Sequence, residues 1–339
     1  MPIQSAATLR RLTQEIAEAL GTPSDLAEAV VDSLVGANLA GHDSHGVLRV
    51  PWYATLIRNG QIVADARPKV ASTRGATARI DGGSGWGQPT ARLAARTAID
   101  LATEHGVGAV MITNGNHIGR LGEYVEMIAR AGKVGLMHCN ASAIVAPFGG
   151  YQRVMGTNPF AWAAPAGPGR EPLVLDFATS IVAEGKLRVA RAKGDKLAPG
   201  LIVDADGRPS ETPDDFYDGG ALLPFGLHKG SGMSVMIELL ARGLTGVDHG
   251  LPSNQGYNGT VVIALDIAAF APVEQFEAAA ERLCEQIGGS TPSGGYERVL
   301  LPGEPERIAR RDREANGISL PDATWNELTA LATELGIAI

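Results

Sequence analysis

The spacing of apolar residues changes at about residue 69, and that change constrains the fold more than any other feature of the chain. Before it, apolar side chains recur at helical spacing, beginning with Leu9, Leu12 and Ile16. After it, short β-like runs such as Val107–Thr113 alternate with helical segments. The alternation is too irregular to force a doubly wound parallel sheet, so the sequence predicts a mixed α/β protein.

Capping and turn residues set the ends of the expected elements. Gly21 ends a first helix, and Thr22–Asp25 supplies an N-cap and an early proline for a second helix that runs to about residue 40. A third helix is expected to begin near Val47, and a hairpin is expected over 69–81. Further helices are predicted at 89–104, 121–131, 231–244, 273–287 and 322–335. Further strands are predicted at 107–113, 134–139, 173–177 and 260–265.

The two patterns predict two domains. Residues 1–68 would form an N-terminal helical domain, and the C-terminal helices of 305–339 would join it. The tail from Asp322 to Leu335 carries apolar residues in helical step, so it is expected to pack back on the body of the protein. Residues 69–304 would form a mixed α/β domain.

Composition limits the partners and the compartment. The net charge of −8 and the absence of a lysine and arginine block argue against a nucleic-acid partner. No window approaches 18 uninterrupted apolar residues, and the N-terminus lacks a signal-type apolar region. The two cysteines, Cys139 and Cys284, lie far apart and fit a reducing compartment. A cytoplasmic protein without a membrane span is therefore expected.

The loop Gly41–Arg49 combines the residue types of a small acid–base site. His45 is suited to proton transfer near neutral pH, and Ser44 could orient its imidazole. If a helix begins near Val47, Arg49 lies about one turn beyond His45, and its planar guanidinium matches a carboxylate. This pattern suits a small carboxylate with a carbonyl or imine beside it. A capped helix start with surface histidines is the alternative.

A second glycine loop, Asn114–Gly122, lies between a predicted strand and a predicted helix. Such a loop presents backbone N–H groups to an anion such as a pyrophosphate, although an ordinary turn explains the spacing equally well. The loop does not have the G-x-G-x-x-G spacing, and no other segment has it after a strand. A Rossmann domain is therefore disfavoured.

Two further segments carry weaker signals. Lys229 at the start of a helix would attract phosphate, unless it is a solvated lysine in a hinge. Asp176, at the end of a strand, could accept hydrogen bonds from a ribose or orient a base, unless the adjacent Thr179 and Ser180 only cap a helix. No metal site is expected, because the two histidines of the first loop have no thiolate neighbour and no H-E-x-x-H motif is present.

Taken in order, seven short segments resemble the type 2 malate/L-lactate dehydrogenase family, which lacks a Rossmann fold. The resemblance spans about residues 5–320 and depends on the joint order of the segments, since each is short. Within the family, 38–46 and 177–190 look most like a broad-range hydroxycarboxylate dehydrogenase. The seven segments are Gly41–Arg49, Gly115–Gly122, Ala146–Gly149, Gly156–Phe160, Leu175–Ser180, His228–Gly230 and Pro302–Glu304.

The resemblance implies a fold, a reaction and an assembly. It implies a helical domain beside a cofactor-binding domain with a largely antiparallel sheet, and a homodimer. It implies NAD(P)-dependent interconversion of a small 2-hydroxy acid and its 2-oxo acid. Some relatives instead reduce cyclic imines such as piperideine-2-carboxylate or pyrroline-2-carboxylate. The choice between NAD and NADP stays open, because no arginine is identified for a 2′-phosphate.

The resemblance also implies roles for particular residues. His45 would be a proton donor assisted by Ser44, His117 competes with it as the acid or base, and Arg49 would hold the substrate carboxylate. Thr157 would touch the substrate. The residues that would line the dinucleotide are His117, Ile118, Gly119, Arg120, Leu121, Asp176, Phe177, Ala178, His228, Lys229, Gly303, Glu304 and Arg307.

Lys186 bears on the choice of substrate. The imine reductases that the chain resembles carry an aspartate at this position, where it can assist imine chemistry. A lysine there would favour an anionic or carbonyl substrate, so the sequence favours hydroxy acids, although Lys186 could equally be a solvated helix residue. A metal-dependent hydrolase and a non-enzymatic binding protein are the rivals from other classes.

Overall fold

The structure of the protein is a computed structural model, which describes residues 1–245 and 258–339. Short 3₁₀ turns occur at Asp43–His45, Val47–Arg49 and Ile267–Ala269. The α-helices, in chain order, are α1 (Ala6–Ala19), α2 (Ser24–Leu39), α3 (Val50–Arg58), α4 (Gly87–His105), α5 (Gly122–Arg130), α6 (Glu184–Lys193), α7 (Pro213–Tyr217), α8 (His228–Glu238), α9 (Val273–Gly288), α10 (Glu304–Asn316) and α11 (Asp322–Glu334).

The strands form one large sheet and two small ones. The large sheet has seven strands in the order β2-β3-β4-β11-β5-β6-β7. The strands are β1 (Ile3–Gln4), β2 (Lys69–Arg74), β3 (Thr77–Asp81), β4 (Val107–Thr113), β5 (Lys133–Cys139), β6 (Phe160–Ala164), β7 (Leu173–Phe177), β8 (Ile202–Val203), β9 (Pro209–Ser210), β10 (Ala221–Leu222), β11 (Thr260–Asp266) and β12 (Ile318–Ser319).

Pairing in the large sheet is mixed. Strand β3 runs parallel to β4, while the other neighbouring strands pair antiparallel. Alternate residues of β4, such as Val110 and Ile112, are fully buried in one core with residues of α4 and α5. This alternation is what a sheet with one covered face requires. The prediction of a mixed α/β protein is confirmed.

A second core lies among the terminal helices. Leu9 and Leu34 from the N-terminal helices pack in one cluster with Leu328 and Leu331 of α11. The two-stranded β1-β12 ladder, in which Gln4 pairs with Ile318, joins the two ends of the chain. Burying a leucine of this kind stabilises the fold by about 1.5–3 kcal/mol, so the terminal helices hold each other in place.

The structure differs from the predicted elements in several places, and α6, α7 and the short strands β8, β9 and β10 were not predicted. The expected third helix begins at Val50, because Gly46 is extended and separates two 3₁₀ turns. The helix predicted to begin at Ser231 begins at His228 and continues past Glu238 as a π-helical segment. Strand β6 was not anticipated from the sequence, since its alanines are weak strand formers.

A smaller unit packs beside the large sheet. The three-stranded sheet β10-β8-β9 shares a cluster with Leu187 of α6 and Phe216 of α7. No helix in the described ranges is long and apolar enough to cross a membrane.

Candidate active site

The loop between α2 and α3 is held by an asparagine at the end of α2. Asn38 donates from Nδ2 to Asp43 Oδ1 over 2.7 Å, and its Oδ1 accepts from the N–H of Val47 over 2.9 Å. A Cβ on Gly46 would lie 2.2 Å from Asn38 Oδ1, closer than real side chains approach. Glycine at this position therefore lets the asparagine tie both halves of the loop together.

Helix α10 fixes the same loop from the C-terminal end of the chain. The Arg313 guanidinium contacts both carboxylate oxygens of Asp43, at 2.6 and 3.0 Å, and also donates to the carbonyl of Asn38. Two parallel N–H···O bonds give this pair a defined orientation. The loop that carries Ser44 and His45 is thus fastened to an element from far along the chain.

Two imidazoles face each other at the centre of the site. The rings of His45 and His117 are nearly parallel, with an interplanar angle of 16° and centroids 5.7 Å apart. His45 Nδ1 lies 2.9 Å from Ser44 Oγ, and His117 Nδ1 lies 2.8 Å from the Tyr53 hydroxyl. In each ring the engaged nitrogen is Nδ1. The Nε2 atom of each ring has no hydrogen-bond partner among the described residues, so it is available to a ligand.

Tyr53 is part of a buried hydrogen-bonded chain that ends at His117. Gln88 Nε2 donates to the Tyr53 hydroxyl over 2.9 Å, and Trp52 packs edge-on against His117 with ring centroids 5.5 Å apart. Burial raises the pKa of Tyr53 to about 12, so its hydroxyl stays protonated at neutral pH. These contacts fix the orientation of the His117 ring.

Both histidines are neutral at neutral pH in this arrangement. Burial lowers the pKa of His45 to about 3, and the nearby Arg49 adds to the effect. Burial, followed by Arg49 and His45, holds the pKa of His117 well below its ordinary value. A neutral imidazole can accept a proton from a hydroxyl group, which suits oxidation of an alcohol.

Arg49 lies beside the histidines without an acidic partner. Its Nε donates to the carbonyl of Ser44 over 2.7 Å, and its Cζ lies 5.5 Å from the centroid of the Trp52 ring. Burial is the largest cause that lowers the pKa of Arg49. In the described part of the chain no carboxylate lies within ion-pair distance of it. The remaining guanidinium N–H groups are free to bind a carboxylate.

Of the remaining predicted substrate residues, Lys186 follows a residue that packs on the histidine loop, whereas Thr157 contacts a different segment. A Cβ on Gly185 would lie 3.4 Å from Ser44 Cβ, so the start of α6 packs against the loop. Lys186, the next residue on α6, is exposed. Thr157 makes its contacts through its backbone carbonyl, which accepts from the N–H and hydroxyl of Thr179.

The predicted dinucleotide loop after β4 has buried side chains and unused backbone donors. Ile118 and Leu121 are 1% and 2% exposed, so their side chains belong to the core. Gly119 has a φ of +77°, which favours glycine. Within the described residues, the N–H groups of 117–120 donate to no acceptor. Unused backbone donors in a loop between a strand and a helix suit an anionic ligand, and phosphate oxygens are suitable acceptors.

Asp176 joins this loop to the end of β7. Its Oδ2 accepts from the N–H of Gly122 over 2.7 Å, at the start of α5. Burial raises the pKa of this carboxyl, while the nearby Arg120 opposes the rise. Phe177 packs edge-on against Phe160 and Phe225, and Ala178 is half-buried. One carboxylate oxygen of Asp176 therefore caps the start of α5, and the other has no hydrogen-bond partner among the described residues.

The segment at the start of α10 docks on β7. Arg307 donates to the carbonyl of Pro172 over 3.0 Å, and Glu304 accepts from the N–H of Leu301 over 2.7 Å. Gly303 has a φ of +87°, and a Cβ there would lie 3.3 Å from Val174. These contacts are structural. A further contact of 3.1 Å, between Glu306 and His42, brings the segment beside the histidine loop.

His228 and Lys229 are connected to the site only indirectly. Both are exposed at the start of α8, and Phe148 lies edge-on to His228 with centroids 6.1 Å apart. The preceding Phe225 donates its N–H to the carbonyl of Thr179, which follows the Asp176 segment. The structure thus groups them with Asp176 and Phe177 rather than with His45 and His117.

Three contributors to the site were missed at the sequence level. Tyr53, Gln88 and Arg313 hold the catalytic candidates by long-range contacts. Tyr53 alone had a local signal, since it lies one helical turn beyond Arg49. In the described ranges no group of three or more histidine, cysteine, aspartate or glutamate residues could hold a metal ion.

Comparison with known proteins identifies the family. The model of the malate/L-lactate dehydrogenase family matches residues 4–329. The chain belongs to this family, and the prediction of a dehydrogenase of this kind is confirmed.

Individual relatives agree over nearly the whole chain. The chain is 34% identical to hydroxycarboxylate dehydrogenase B of Escherichia coli (strain K12), over 98% of its own length and 94% of the relative. It is 36% identical to the Δ1-pyrroline-2-carboxylate/Δ1-piperideine-2-carboxylate reductase of Pseudomonas syringae pv. tomato, over 92% and 91%. The structure of a putative malate/lactate dehydrogenase from E. coli superposes with a TM-score of 0.93 at 33% identity, covering 100% of this chain and 96% of that one.

Proposed function

We propose that the protein interconverts a small 2-hydroxy acid and its 2-oxo acid with a nicotinamide dinucleotide. The observation that carries this proposal is the unpaired Arg49 beside the facing imidazoles of His45 and His117. A guanidinium that lacks a carboxylate of its own is a receptor for the carboxylate of a ligand. Two neutral imidazoles next to it supply acid–base chemistry at the adjacent carbon.

The dinucleotide fits the residues around the loop after β4. The unused N–H groups of 117–120 match phosphate oxygens, and the free oxygen of Asp176 is a suitable acceptor for a ribose hydroxyl. The segment that includes Gly303, Glu304 and Arg307 would complete the dinucleotide site. His228 and Lys229 would contact the dinucleotide farther from His45 and His117. When bound, the nicotinamide supplies or accepts the hydride.

The chain's own residues perform the proton transfer. Arg49 binds the substrate carboxylate and orients the carbon that bears the oxygen. In the oxidative direction Nε2 of His45 or His117 accepts the hydroxyl proton, and in the reductive direction the same nitrogen donates it. Ser44 and Tyr53 hold the two imidazoles through their Nδ1 atoms. Lys186 would contact the substrate from the side of α6, and Thr157 would contact it from the segment before β6.

A panel of substrates tests the proposal. The purified protein is mixed with pyruvate, oxaloacetate and larger 2-oxo acids, each with NADH and with NADPH, and loss of reduced nicotinamide is followed by absorbance. Turnover of at least one 2-oxo acid is expected. If no 2-oxo acid is reduced with either cofactor, the proposed reaction is wrong.

Imine reduction is the second candidate function, because the Pseudomonas syringae relative is named for it. Lys186 favours the hydroxy acid instead, since a cation beside the site attracts an anionic or carbonyl substrate rather than a protonated imine. Piperideine-2-carboxylate added to the same panel separates the two. A higher kcat/KM for the imine than for every 2-oxo acid would favour the second function.

The domain arrangement is also a proposal. Residues 1–68 with 305–339 would form the helical domain, since residues of both ends share one core, and 69–304 would form the cofactor domain. The cofactor domain would bind its dinucleotide without a Rossmann arrangement, because β3-β4 is the parallel pairing in an otherwise antiparallel sheet. The half-buried rim between the two units would then hold the substrate.

We further propose a cytoplasmic homodimer. Both cysteines are buried and unpaired, which suits a reducing compartment.

The homodimer rests on an exposed apolar pair. Trp162 and Leu175 are directly paired on β6 and β7 and are 48% and 37% exposed. Exposed apolar patches of this kind mark interfaces. Light scattering should give the mass of a dimer, and Trp162→Glu should shift it toward a monomer. A wild-type monomer would contradict the assembly.

A further inference from the structure

A cavity lined with arginines lies outside the substrate site. It has a volume of about 390 Å³, within the range of small-molecule pockets, and it opens between α1, α2 and α10 on one side and α4 and α5 on the other. A Cβ on Gly36, in its wall, would meet nothing within 4 Å. The arginines of its lining are Arg10, Arg92, Arg96, Arg120, Arg130 and Arg310.

The charge of this lining is strongly positive, although the whole chain is acidic. Its carboxylates are Asp32, Glu123 and Glu126, which leaves an excess of three positive charges over a protein of net charge −8. Arg92 contacts Glu123 at 2.7 Å. The carboxylates also neutralise Arg10 and Arg130. The other three arginines have no ion pair with a carboxylate of this lining, although Arg120 interacts at longer range with Asp176 and Glu306, which do not line the cavity.

Arg120 is the most informative of these three. It is 8% exposed, yet its guanidinium donates no hydrogen bond to any atom in the part of the chain that the structure describes. A buried guanidinium with unused donors is costly unless an acceptor meets it. Arg96 and Arg310, at the mouth of the cavity, likewise have no carboxylate within ion-pair distance among the described residues.

We propose that this cavity binds a phosphate group, with Arg120 as its buried donor and Arg96 and Arg310 at its entrance. A phosphate dianion offers the charge and the acceptors that this excess of guanidinium groups requires. A carboxylate carries one negative charge, so it would neutralise one of these arginines and leave the other two without a counter-charge. The ligand is therefore a phosphate ester or inorganic phosphate.

Arg120 also connects the cavity to the site already described. It belongs to the loop after β4, and a Cβ on Gly122 would lie 2.5 Å from its Nη1 and 3.0 Å from Asp176 Oδ2. A phosphate of the dinucleotide could thus reach the cavity, as could a free phosphate. The inference rests on the proposed function only if the bound phosphate belongs to the dinucleotide.

Binding measurements on purified protein test the proposal without turnover. Calorimetry gives the affinity for inorganic phosphate and pyrophosphate, and nicotinamide fluorescence gives the dissociation constants of NADH and NADPH. The variants are Arg120→Met, which keeps the packing of the side chain, and Arg310→Ala at the mouth. Arg282→Ala on α9 is the matched control, since it removes the same charge from an exposed site outside the cavity. Thermal unfolding verifies that each variant folds.

Each variant is expected to weaken phosphate-dependent binding about tenfold or more, because a charge-assisted hydrogen bond is lost. A loss of affinity for NADPH alone assigns the cavity to the 2′-phosphate of the dinucleotide. An equal loss of affinity for NADH and NADPH assigns it to the pyrophosphate. A loss confined to inorganic phosphate assigns it to a free phosphate. If both variants bind all four probes as the wild type and Arg282→Ala do, the inference is wrong. Absence of 2-oxo acid turnover would instead contradict the proposed reaction.

Discussion

Replacing Tyr53 with phenylalanine separates the roles of the two histidines. The change removes one oxygen and leaves the ring, which packs edge-on against Trp86 with centroids 5.3 Å apart. It deletes the 2.8 Å contact to His117 Nδ1 and the 2.9 Å contact from Gln88 Nε2. His45 keeps its own support, because Ser44 is untouched. Of the two histidines, only His117 therefore loses a hydrogen bond.

The expected magnitude follows from the lost hydrogen bonds. The buried amide of Gln88 keeps no partner for its donor, which costs about 1–3 kcal/mol of stability. If His117 exchanges the proton, a ring that has lost its orienting bond should lower kcat by about ten- to a hundredfold, which is part of the roughly 10²–10⁴-fold that a positioned acid or base contributes. If His45 exchanges it, kcat should change by less than about threefold, since no bond to His45 is broken.

Steady-state kinetics across a pH series, with the best 2-oxo acid of the panel, give the answer. Thr22→Val is the matched control: it removes the acceptor of another buried hydrogen bond, from Trp86 Nε1 over 3.0 Å, without touching either histidine. Comparable losses of thermal stability are expected for the two variants, with loss of kcat in Tyr53→Phe alone. An unchanged kcat and pH profile in Tyr53→Phe would refute the idea that Tyr53 positions a catalytic His117.

Three further predictions follow from the same geometry. Arg49→Lys should raise KM for the 2-oxo acid at least about tenfold and that for the cofactor little, because a lysine cannot form two parallel bonds to a carboxylate; equal increases in both KM values would contradict the assignment. Gly46→Ala should lower the melting temperature by several degrees, as its Cβ would lie 2.2 Å from Asn38 Oδ1, whereas Gly232→Ala, which meets nothing within 4 Å, should not. The folded protein should lose stability as pH falls from about 6.5 toward 3, because a histidine whose folded pKa is lowered to about 3 binds its proton only when unfolded. His45→Gln should flatten that dependence, measured by urea unfolding at several pH values, and an unchanged slope would contradict it.

Local sequence determined the elements and the residue types of the site, but not the contacts between distant segments. The loop Gly41–Arg49 was recognisable because its residues are adjacent, and Ser44 does hydrogen-bond His45. The contact between Tyr53 and His117 depends on how α3 meets the loop after β4, which no periodicity encodes. The roles of these residues in catalysis stay predictions.

The arginine of α10 illustrates the same limit from the side of stability. Arg313 lies on a helix that is polar along most of its length, so nothing in its surroundings distinguishes it from a solvated residue. Only the closure of the chain ends, with β12 paired to β1, places it against Asp43. Conversely, the alanine-rich β6 is a strand because β5 and β7 flank it in the sheet. Tertiary context, rather than propensity, decided both features.

The electrostatics of the site couple substrate binding to proton uptake. Arg49 contributes to the low pKa of both His45 and His117. A carboxylate bound to Arg49 would cancel that repulsion and add a negative charge nearby, so the pKa of each imidazole should rise. Binding of a non-reactive 2-oxo acid analogue, such as oxamate, should then take up part of a proton, and more of it at pH 5 than at pH 7. Calorimetry in two buffers of different ionisation enthalpy measures that number. Binding without proton uptake in the wild type, or uptake that persists undiminished in Arg49→Met, would mean that the arginine does not control the charge of the histidines.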